Sequence, residues 1–398
     1  MKILFIDTWS KGSFFTSPVA KLAKSKGSVV GFLHANNLYN VDDIDWKEEI
    51  YDFSFDCADF NNSLVSALKN INPDAVVFIS MHGMFQRWAN YICSKLDIPC
   101  YFFMHGVRFN TKEIGRLKRR NIFELFRRVH FYNKHWFLLI RDCLKLTSIF
   151  KSPWRLFILS YLEMIFMNKR FSFSPKYKWG IEYKKVCINS FHDEAFFKEF
   201  TGEVGSDRFV VSGNITSRRA AIDSFTFDKA DLNSILFISQ PLAADGYIHF
   251  QSYIDSIVAL DHFIKIYDLG KFIVRLHPRD DKRTIQVLSK SNISTSKNKS
   301  LAKDLSSSYL VVGFNSSALL GCLEVGIPVL GYKFDNVPLL DSLKGSSLYK
   351  EFNFLTKDLS DEVRQLIEAG KKRRGLPKDL LPTENIVFNE ILSSSNRK

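Results

Sequence analysis

Short apolar runs alternate with amphipathic helical patterns along most of this chain. In the first part, four runs have the continuous hydrophobic character of buried parallel strands, at residues 3–6, 29–33, 75–79 and 100–103. Helical periodicity separates them at residues 16–25, 62–70 and 85–95. Strands and helices in alternation predict a parallel, doubly wound α/β sheet.

The same alternation returns after residue 180. Strands are predicted at residues 185–189 and 209–211, with a helix beginning near His192. The polar stretch that follows predicts an interdomain linker at residues 218–234. A second α/β series then begins at Ile235, with strands ending at His277, 310–312 and 329–330, and helices at 247–269, 282–289, from Ser316, 359–369 and 384–394. We therefore expect two Rossmann-like domains, 1–217 and 235–398.

Residues 112–180 interrupt this pattern. The segment combines Phe, Trp and Leu with Arg and Lys at helical spacing, and it predicts a basic helical insertion in the first domain. Between Lys112 and Lys178 there are 16 Lys/Arg and 4 Asp/Glu, so almost all of the net charge of +13 lies here. Such a patch favours an anionic partner, and a basic amphipathic surface favours an anionic membrane over nucleic acid, for which no signature is present.

The bulk composition fits a two-domain globular protein. The chain has 398 residues, of which 46% are hydrophobic and 24% charged. Its six cysteines are scattered without a CxxC pair, which favours reduced thiols. The first residues predict a strand and not a signal peptide. The expected location is therefore cytoplasmic, peripheral at the inner face of the membrane.

Polar residues follow several of the predicted strands, at the sheet edge where ligands bind in open α/β folds. His277 and Pro278 end one strand, and Asn315, Ser316 and Ser317 follow another. Paired serines at a helix start offer hydroxyls and free N–H groups to an anion, which predicts a phosphate site. His277 is expected on the neighbouring strand, as a further donor to the same phosphate; the alternative is an ordinary His-Pro turn.

The two-domain layout resembles that of GT-B glycosyltransferases and of UDP-N-acetylglucosamine 2-epimerase. The His277-Pro278 and Ser316-Ser317 pair further resembles motifs of bacterial GT-B enzymes that use CMP-activated sugars, the sialyltransferases and Kdo transferases. This resemblance implies that His277 and the serines, with Gln240 and Asn315, hold the phosphate of a CMP-sugar, and that no metal or other cofactor is required. The implied acceptor is a bacterial surface glycan, of lipopolysaccharide or capsule.

One position departs from the related enzymes that use nucleoside diphosphates. Many of them, and the epimerase, carry a ribose-binding carboxylate five residues before the glycine of the Gly-x-Pro turn. Gly321 occupies that position here, and Glu324 lies two residues before Gly326. This difference weakens the UDP-sugar and epimerase interpretations.

Two residues are candidates for the chemical step. Asp245 lies in a loop that resembles the Gln-x-x-x-x-Asp loop of Kdo transferases, where Asp acts at the anomeric carbon; the alternative is an Asp-Gly turn that caps the next helix. His105 follows a predicted strand and precedes Gly106, and a histidine there can take the proton of an acceptor hydroxyl. His82 is a weaker candidate of the same kind, and Asp7 either contacts the acceptor or caps a helix.

Five arginines are predicted to lie on the acceptor or membrane side: Arg108, Arg119, Arg120, Arg127 and Arg128. Two alternatives to a CMP-sugar transferase stay open. His105 also resembles the His-Gly of teichoic-acid glycerophosphotransferases, which implies CDP-glycerol or CDP-ribitol as donor. A non-catalytic nucleotide-binding subunit of a glycan assembly complex is the other alternative.

Overall fold

The computed structural model describes residues 1–39, 50–81, 84–106, 142, 182–201, 206–227, 232–332, 341–352, 361–372, 376 and 380–395. These residues belong to two compact units. Those of the first fall within Met1–His105, Arg120–Ser212 and Glu384–Lys398, and those of the second within Gly106–Arg119 and Gly213–Thr383.

The first unit contains a seven-stranded sheet. Its strands are β1 (Lys2–Ile6), β2 (Val29–His34), β3 (Phe53–Asp56), β4 (Ala75–Phe78), β5 (Cys100–Phe103), β6 (Lys185–Ile188) and β7 (Phe209–Val211). The helices among its described residues before β7 are α1 (Ser13–Ser25), α2 (Asn36–Tyr39), α3 (Leu64–Ile71), α4 (Met84–Lys95) and α5 (His192–Thr201). All strand pairs are parallel, in the order β3-β2-β1-β4-β5-β6-β7.

The second unit contains a six-stranded sheet. It begins with α6 (Ile215–Asp223), and its strands are β8 (Ser234–Ile238), β9 (Lys271–Arg275), β10 (Ser294–Thr295), β11 (Ser308–Gly313), β12 (Val329–Tyr332) and β13 (Tyr349–Phe352). The later helices are α7 (Phe250–Ile266), α8 (Lys282–Lys290), α9 (Leu301–Ser306), α10 (Ser317–Glu324) and α11 (Asp361–Lys371), followed by α12 (Thr383–Ser395). The parallel order is β10-β9-β8-β11-β12-β13.

The sequence builds these sheets from strands that are apolar on both faces. All four side chains of β4 and of β5 are buried, as are all six residues of β11, because helices cover both faces of a parallel sheet. Local signals start the helices, since Ser63 caps α3 and Asn214 caps α6 with side-chain hydrogen bonds to backbone N–H groups. The predicted α/β class with two Rossmann-like units is confirmed.

Both sheets have a topological switch point. From β1 the strands continue outward in one direction, to β2 and β3, and from β4 they continue in the other direction, to β5, β6 and β7. The second sheet reverses in the same way between β8 and β11. In open α/β sheets, ligands bind at such points, outside the carboxyl ends of the strands. A ligand is therefore expected at the residues after β1 and β4, and at those after β8 and β11.

The observed bounds differ from the predicted ones at two places. The predicted linker at 218–234 contains most of α6, a helix that packs against α10 within the second unit. The last helix, α12, was predicted to close the second domain but belongs to the first unit, where its Glu390 forms an ion pair with Lys185 at 3.7 Å. Both errors arise because polar, weakly amphipathic segments take their place from tertiary packing.

Candidate functional site

The switch point of the second sheet gathers most of the predicted donor-site residues. The strand register pairs Gly313 of β11 with Ile238 of β8, and Ile238 with Arg275 of β9. Two residues farther along each chain stand Asn315, Gln240 and His277, at equivalent positions on three strands. Three sequence-predicted residues are thus placed at one sheet edge.

The arrangement of the strands corrects one expectation. His277 was predicted on the strand next to the serines, but β8 lies between β9 and β11. Neighbouring strands are about 4.8 Å apart, so β9 and β11 are about 10 Å apart. Gln240 and the backbone after β8 lie between them. The reason is that β8, the first strand of this sheet, lies at its centre, with β9 on one side and β11 on the other.

An acidic residue that sequence analysis did not single out holds the His277 loop in place. The Asp280 carboxylate accepts hydrogen bonds from the His277 backbone N–H at 2.7 Å and from the Ser239 hydroxyl at the end of β8. Ser239 also bonds the Tyr253 hydroxyl of α7 at 2.5 Å. Burial raises the pKa of Asp280, while the bond from Ser239 opposes that shift. The loops after β8 and β9 are therefore tied together by one half-buried carboxylate.

The hydrogen bonds of His277 define its protonation state. Its Nδ1 accepts a hydrogen bond from the Arg279 backbone N–H at 3.1 Å. Burial, with a contribution from the Arg279 charge, lowers the pKa of this half-buried imidazole. A neutral ring that accepts at Nδ1 carries its proton on Nε2. Nε2–H has no hydrogen-bond acceptor among the described residues, so His277 presents a neutral donor at the sheet edge.

The segment after β11 adds further donors. Ser316 is the N-cap of α10, and its hydroxyl accepts a hydrogen bond from the Ala318 N–H at 3.3 Å. Asn315 is 3% exposed, and its Nδ2 donates to no group in the described part of the chain. The half-buried Ser317 opens the helix, where backbone N–H groups and the helix dipole favour an anion. A buried amide without a partner is costly unless a ligand satisfies it.

Asp245 does not cap the next helix. His249 is the N-cap of α7, and Asp245 instead lies in a turn before Gly246, which adopts φ +74°. The Asp245 carboxylate forms an ion pair with Arg279 at 3.0 Å, in the loop that follows His277 and the exposed Pro278. Asp245 therefore stands beside the candidate donor site and is tied to it through Arg279.

The glycine at the position of the ribose carboxylate has a structural reason. A side chain at Gly321 would place its Cβ 2.5 Å from the Ser217 backbone of α6. Helix α6 thus fills the space that a carboxylate would need. Glu324, one turn farther along α10, faces α6 as well and pairs with Arg218 at 3.4 Å. Burial raises the pKa of Glu324 to about 7.

The first unit has its own polar cluster at its switch point. The His105 Nδ1 lies 2.7 Å from the Ile79 carbonyl oxygen, which can only accept, so Nδ1 donates this hydrogen bond. The Phe15 ring lies 4.6 Å from the His105 ring, centroid to centroid. Asp7, directly after β1, accepts a hydrogen bond from Gln86 of α4 at 2.7 Å. Sequence analysis could not identify this contact, because 79 residues separate the two partners.

Some predicted residues fall outside the part of the chain that the structure describes. They are His82 and the five arginines, Arg108, Arg119, Arg120, Arg127 and Arg128. Of the basic insertion at 112–180, only Asp142 is described. No helix among the described residues is both long enough and apolar enough to cross a membrane. The described residues also contain no group of three His, Cys, Asp or Glu side chains that could hold a metal ion.

The fold can be compared with solved structures. No protein-family model and no curated protein matches the sequence. A Listeria monocytogenes protein described as a UDP-N-acetylglucosamine 2-epimerase superimposes with a TM-score of 0.55 at 10% identity, over 99% of this chain and 95% of that chain. The UDP-GlcNAc 2-epimerase of Methanocaldococcus jannaschii superimposes with a TM-score of 0.49 at 13% identity, over 99% of this chain and 100% of that chain. MurG of Acinetobacter baumannii superimposes with a TM-score of 0.46 at 13% identity, over 98% of this chain and 99% of that chain.

At 10% identity, the likeness to the Listeria protein defines the fold alone. The two parallel sheets have the two-domain architecture that the sequence predicted, that of GT-B glycosyltransferases and their epimerase relative. The fold does not define the reaction, which depends on the site residues.

Proposed function

We propose that this protein is a GT-B glycosyltransferase that moves an acidic sugar, Kdo or a sialic-acid-like nonulosonate, from a CMP-sugar to a bacterial surface glycan. The acceptor would belong to lipopolysaccharide or capsule. The observation that carries the proposal is the set of neutral hydrogen-bond donors at the switch point of the second sheet. They are the His277 Nε2–H, the unpartnered Asn315 amide and the N-terminus of α10 at Ser316 and Ser317.

This donor set fits a nucleotide with a single phosphate. The phosphate of a CMP-sugar leaves as part of CMP, so the enzyme has to stabilise the charge that develops on it. Neutral N–H and O–H groups aimed at that oxygen can do so without a metal. The blocked position at Gly321 supports the same assignment, because it removes the carboxylate found in many users of nucleoside diphosphates.

The proposal assigns different steps to different residues. Asp245, beside the donor site and paired with Arg279, can act as the nucleophile of a retaining reaction. The first unit would bind the acceptor and supply the group that takes the proton of its hydroxyl, for which His105 was the candidate from sequence. The basic insertion would hold the protein at an anionic membrane that carries a lipid-linked acceptor.

Two other functions remain as alternatives. A CDP-glycerol or CDP-ribitol phosphotransferase would need a diphosphate donor and a base at His105. A non-catalytic subunit would bind nucleotide without turnover, and its membrane binding would be unaffected by His277→Ala. Because the Listeria neighbour is described as acting on a UDP-sugar, UDP belongs among the ligands to be tested.

The first test is a thermal-shift panel with CMP, CDP, UMP, UDP and GDP. We expect CMP to raise the melting temperature of the wild type selectively, and we expect His277→Ala to lose that shift because the Nε2 donor is gone. His262→Ala is the matched control, since His262 is exposed on α7. CMP-Kdo and CMP-sialic acid turnover would then be assayed by CMP release.

Other outcomes would separate the alternatives. Selective stabilisation by UDP, or an unchanged CMP shift in His277→Ala, would show that the phosphate site has been misassigned. Turnover of CDP-glycerol or CDP-ribitol without turnover of CMP-sugars would establish the alditol-phosphate reaction. CMP binding with no turnover of any donor would favour the non-catalytic subunit.

A further inference from the structure

A half-buried carboxylate lies at the switch point of the first sheet. Asp7 follows β1 directly, and Gln86 belongs to α4, the helix that follows β4. Gln86 is 2% exposed, and its Nε2 donates to the Asp7 Oδ1 and to the Thr8 Oγ1, both at 2.7 Å. The buried Gln86 amide therefore links the Asp7 carboxylate to α4 and fixes the orientation of the carboxylate.

Asp7 is not the cap of the next helix. Gly12 is the N-cap of α1, and none of the described N–H groups of that helix donates to Asp7. Gly12 instead packs directly on the carboxylate, because a Cβ at this position would lie 2.2 Å from the Asp7 Oδ2. Only glycine fits at position 12, because the Asp7 carboxylate occupies the space of a side chain there. The Gly12 backbone packs against one carboxylate oxygen, and Gln86 donates a hydrogen bond to the other.

A second network holds the loop that carries Asp7. The Ser10 backbone N–H donates to the Asn36 Oδ1 at 2.9 Å, and the Asn36 amide returns a hydrogen bond to the Ser10 hydroxyl at 2.7 Å. The Nδ1 of His34 lies 3.1 Å from the Asp56 carboxylate, which can only accept, so Nδ1 donates to Asp56. The Asn36 backbone nitrogen lies 3.3 Å from the same Nδ1. All four side chains are buried, so the loop between β1 and α1 is anchored at the sheet edge.

The setting changes the acidity of Asp7. Burial raises the pKa of this carboxyl to about 6, against the lowering effect of the hydrogen bonds from Thr8 and Gln86. Titratable groups on the neighbouring described elements include Lys11, His34, Asp56, Arg87 and His105, and none of them is among the causes of the shift. A carboxylate of this kind is ionised at neutral pH and can accept a proton more readily than an ordinary aspartate.

Exposed aromatic side chains follow Asp7 closely in the chain. Trp9 is 44% exposed and Phe14 is 64% exposed, in the loop and first turn after Asp7. Phe15 of the same turn contacts the ring of His105. Exposed aromatic surface beside polar groups is typical of a ligand-binding face. Sugar rings present C–H faces for such a surface and hydroxyls for the carboxylate.

We propose that the Asp7 carboxylate is the general base of the transfer reaction and that the β1–α1 loop binds the acceptor sugar. This inference rests on the proposed function. Asp245 would first form a bond to the anomeric carbon, while the bond from that carbon to the phosphate oxygen breaks and its electron pair leaves with CMP. The acceptor hydroxyl oxygen would then form a bond to the same carbon while the bond to Asp245 breaks, and the hydroxyl proton would pass to Asp7 and then to water.

The test compares Asp7→Asn, Gln86→Ala, His105→Gln and the wild type in a CMP-release assay with CMP-Kdo and CMP-sialic acid, across pH 5–9. Asp7→Asn keeps an oxygen for Gln86 and should lower kcat by about 100-fold or more, with CMP affinity unchanged. Gln86→Ala removes a bond to the charged form, so the acidic limb of the pH profile should move to higher pH. Asp74→Asn is the control, an exposed aspartate that bonds the Lys2 N–H before β4.

Each result decides one of the two proposals. A wild-type enzyme that turns over CMP-sugar, with Asp7→Asn equally active, overturns the role of Asp7 and leaves the transferase proposal intact. An acidic limb that disappears in His105→Gln and does not move in Gln86→Ala assigns the base to His105. A wild type that neither binds CMP nor releases it from any CMP-sugar overturns the transferase proposal, and the role of Asp7 falls with it.

Discussion

At the scale of single residues, the site depends on carboxylates whose roles the sequence does not reveal. His277, Asn315 and Ser316 could be predicted, because each follows an apolar run at a strand end. Asp280 could not, since its bond to Ser239 joins residues 41 positions apart. The hydrogen bonds between Asp7 and Gln86 and between Asp280 and Ser239 form only in the folded protein, so they cannot be predicted from a local sequence pattern.

Glu324 gives a pH-dependent prediction. Its pKa is raised from 4.5 to about 7 by burial, so the folded state binds more protons than the unfolded state between those values. Stability therefore falls as pH rises through this window, by up to about 3 kcal/mol from this group. In Glu324→Gln the contribution should be absent, so the variant gains stability relative to the wild type as pH rises.

Urea unfolding at pH 5, 6 and 7.5 measures this effect. The difference in unfolding free energy between Glu324→Gln and the wild type should grow with pH in favour of the variant. A difference that is the same at all three pH values would mean that Glu324 is already ionised at pH 5 and that its pairing with Arg218 outweighs burial.

At the scale of elements, the sequence predicted the central strands and the edge strand β7, but it missed the other three edge strands. β3, β10 and β13 lie at sheet edges, where one side of the strand is exposed and the continuous apolar signal is lost. The sequence pattern predicts a linker where α6 lies, because Arg218 and Arg219 interrupt the apolar face of this helix. This helix packs against Gly321 through its backbone at Ser217, and a contact of this kind leaves no hydrophobic pattern in the sequence.

Asp142 is the described anchor of the basic insertion to the first unit. Its buried carboxylate accepts hydrogen bonds from the Ser63 hydroxyl at 2.6 Å, the Leu64 N–H at 3.0 Å and the Trp88 indole N–H at 2.9 Å. Asp142→Ala would leave these buried donors without a partner, each at a cost of about 1–3 kcal/mol. We expect a fall in melting temperature of several degrees or more.

Differential scanning calorimetry checks this expectation, with Asp97→Asn as the control. Asp97 is exposed and adopts φ +56°, a conformation that asparagine tolerates, so the control should melt like the wild type. If Asp142→Ala melts like the control, the α3 N-terminus and Trp88 find water or other partners and the insertion is anchored elsewhere.

At the scale of the whole molecule, the chain leaves the first unit after Ser212 and returns to it at Glu384. Three side chains of the returning helix α12 are fully buried, Val387, Phe388 and Ile391. Burial of such side chains stabilises a domain by about 1.5–3 kcal/mol each. The first unit therefore depends on residues from the far end of the sequence, which a division into consecutive domains at 217 and 235 does not provide.

Removal of residues 384–398 should separate the stabilities of the two units. We expect the first unit to unfold at a lower temperature, while the second unit keeps its core and its affinity for CMP. Hydrogen exchange followed by mass spectrometry would show faster exchange in β1, β4 and β6 and unchanged exchange in β8 and β11. Equal loss of protection in both units would contradict the assignment of α12 to the first unit alone.

The return of α12 also sets an order of events at the ribosome. The second unit is fully synthesised before the helix that completes the first, so the amino-terminal unit is the last to reach its final structure. During this interval, the surface that later receives Val387, Phe388 and Ile391 is uncovered. A growing chain with such a surface is a substrate for chaperones, and slow translation of the codons for α12 would lengthen its exposure.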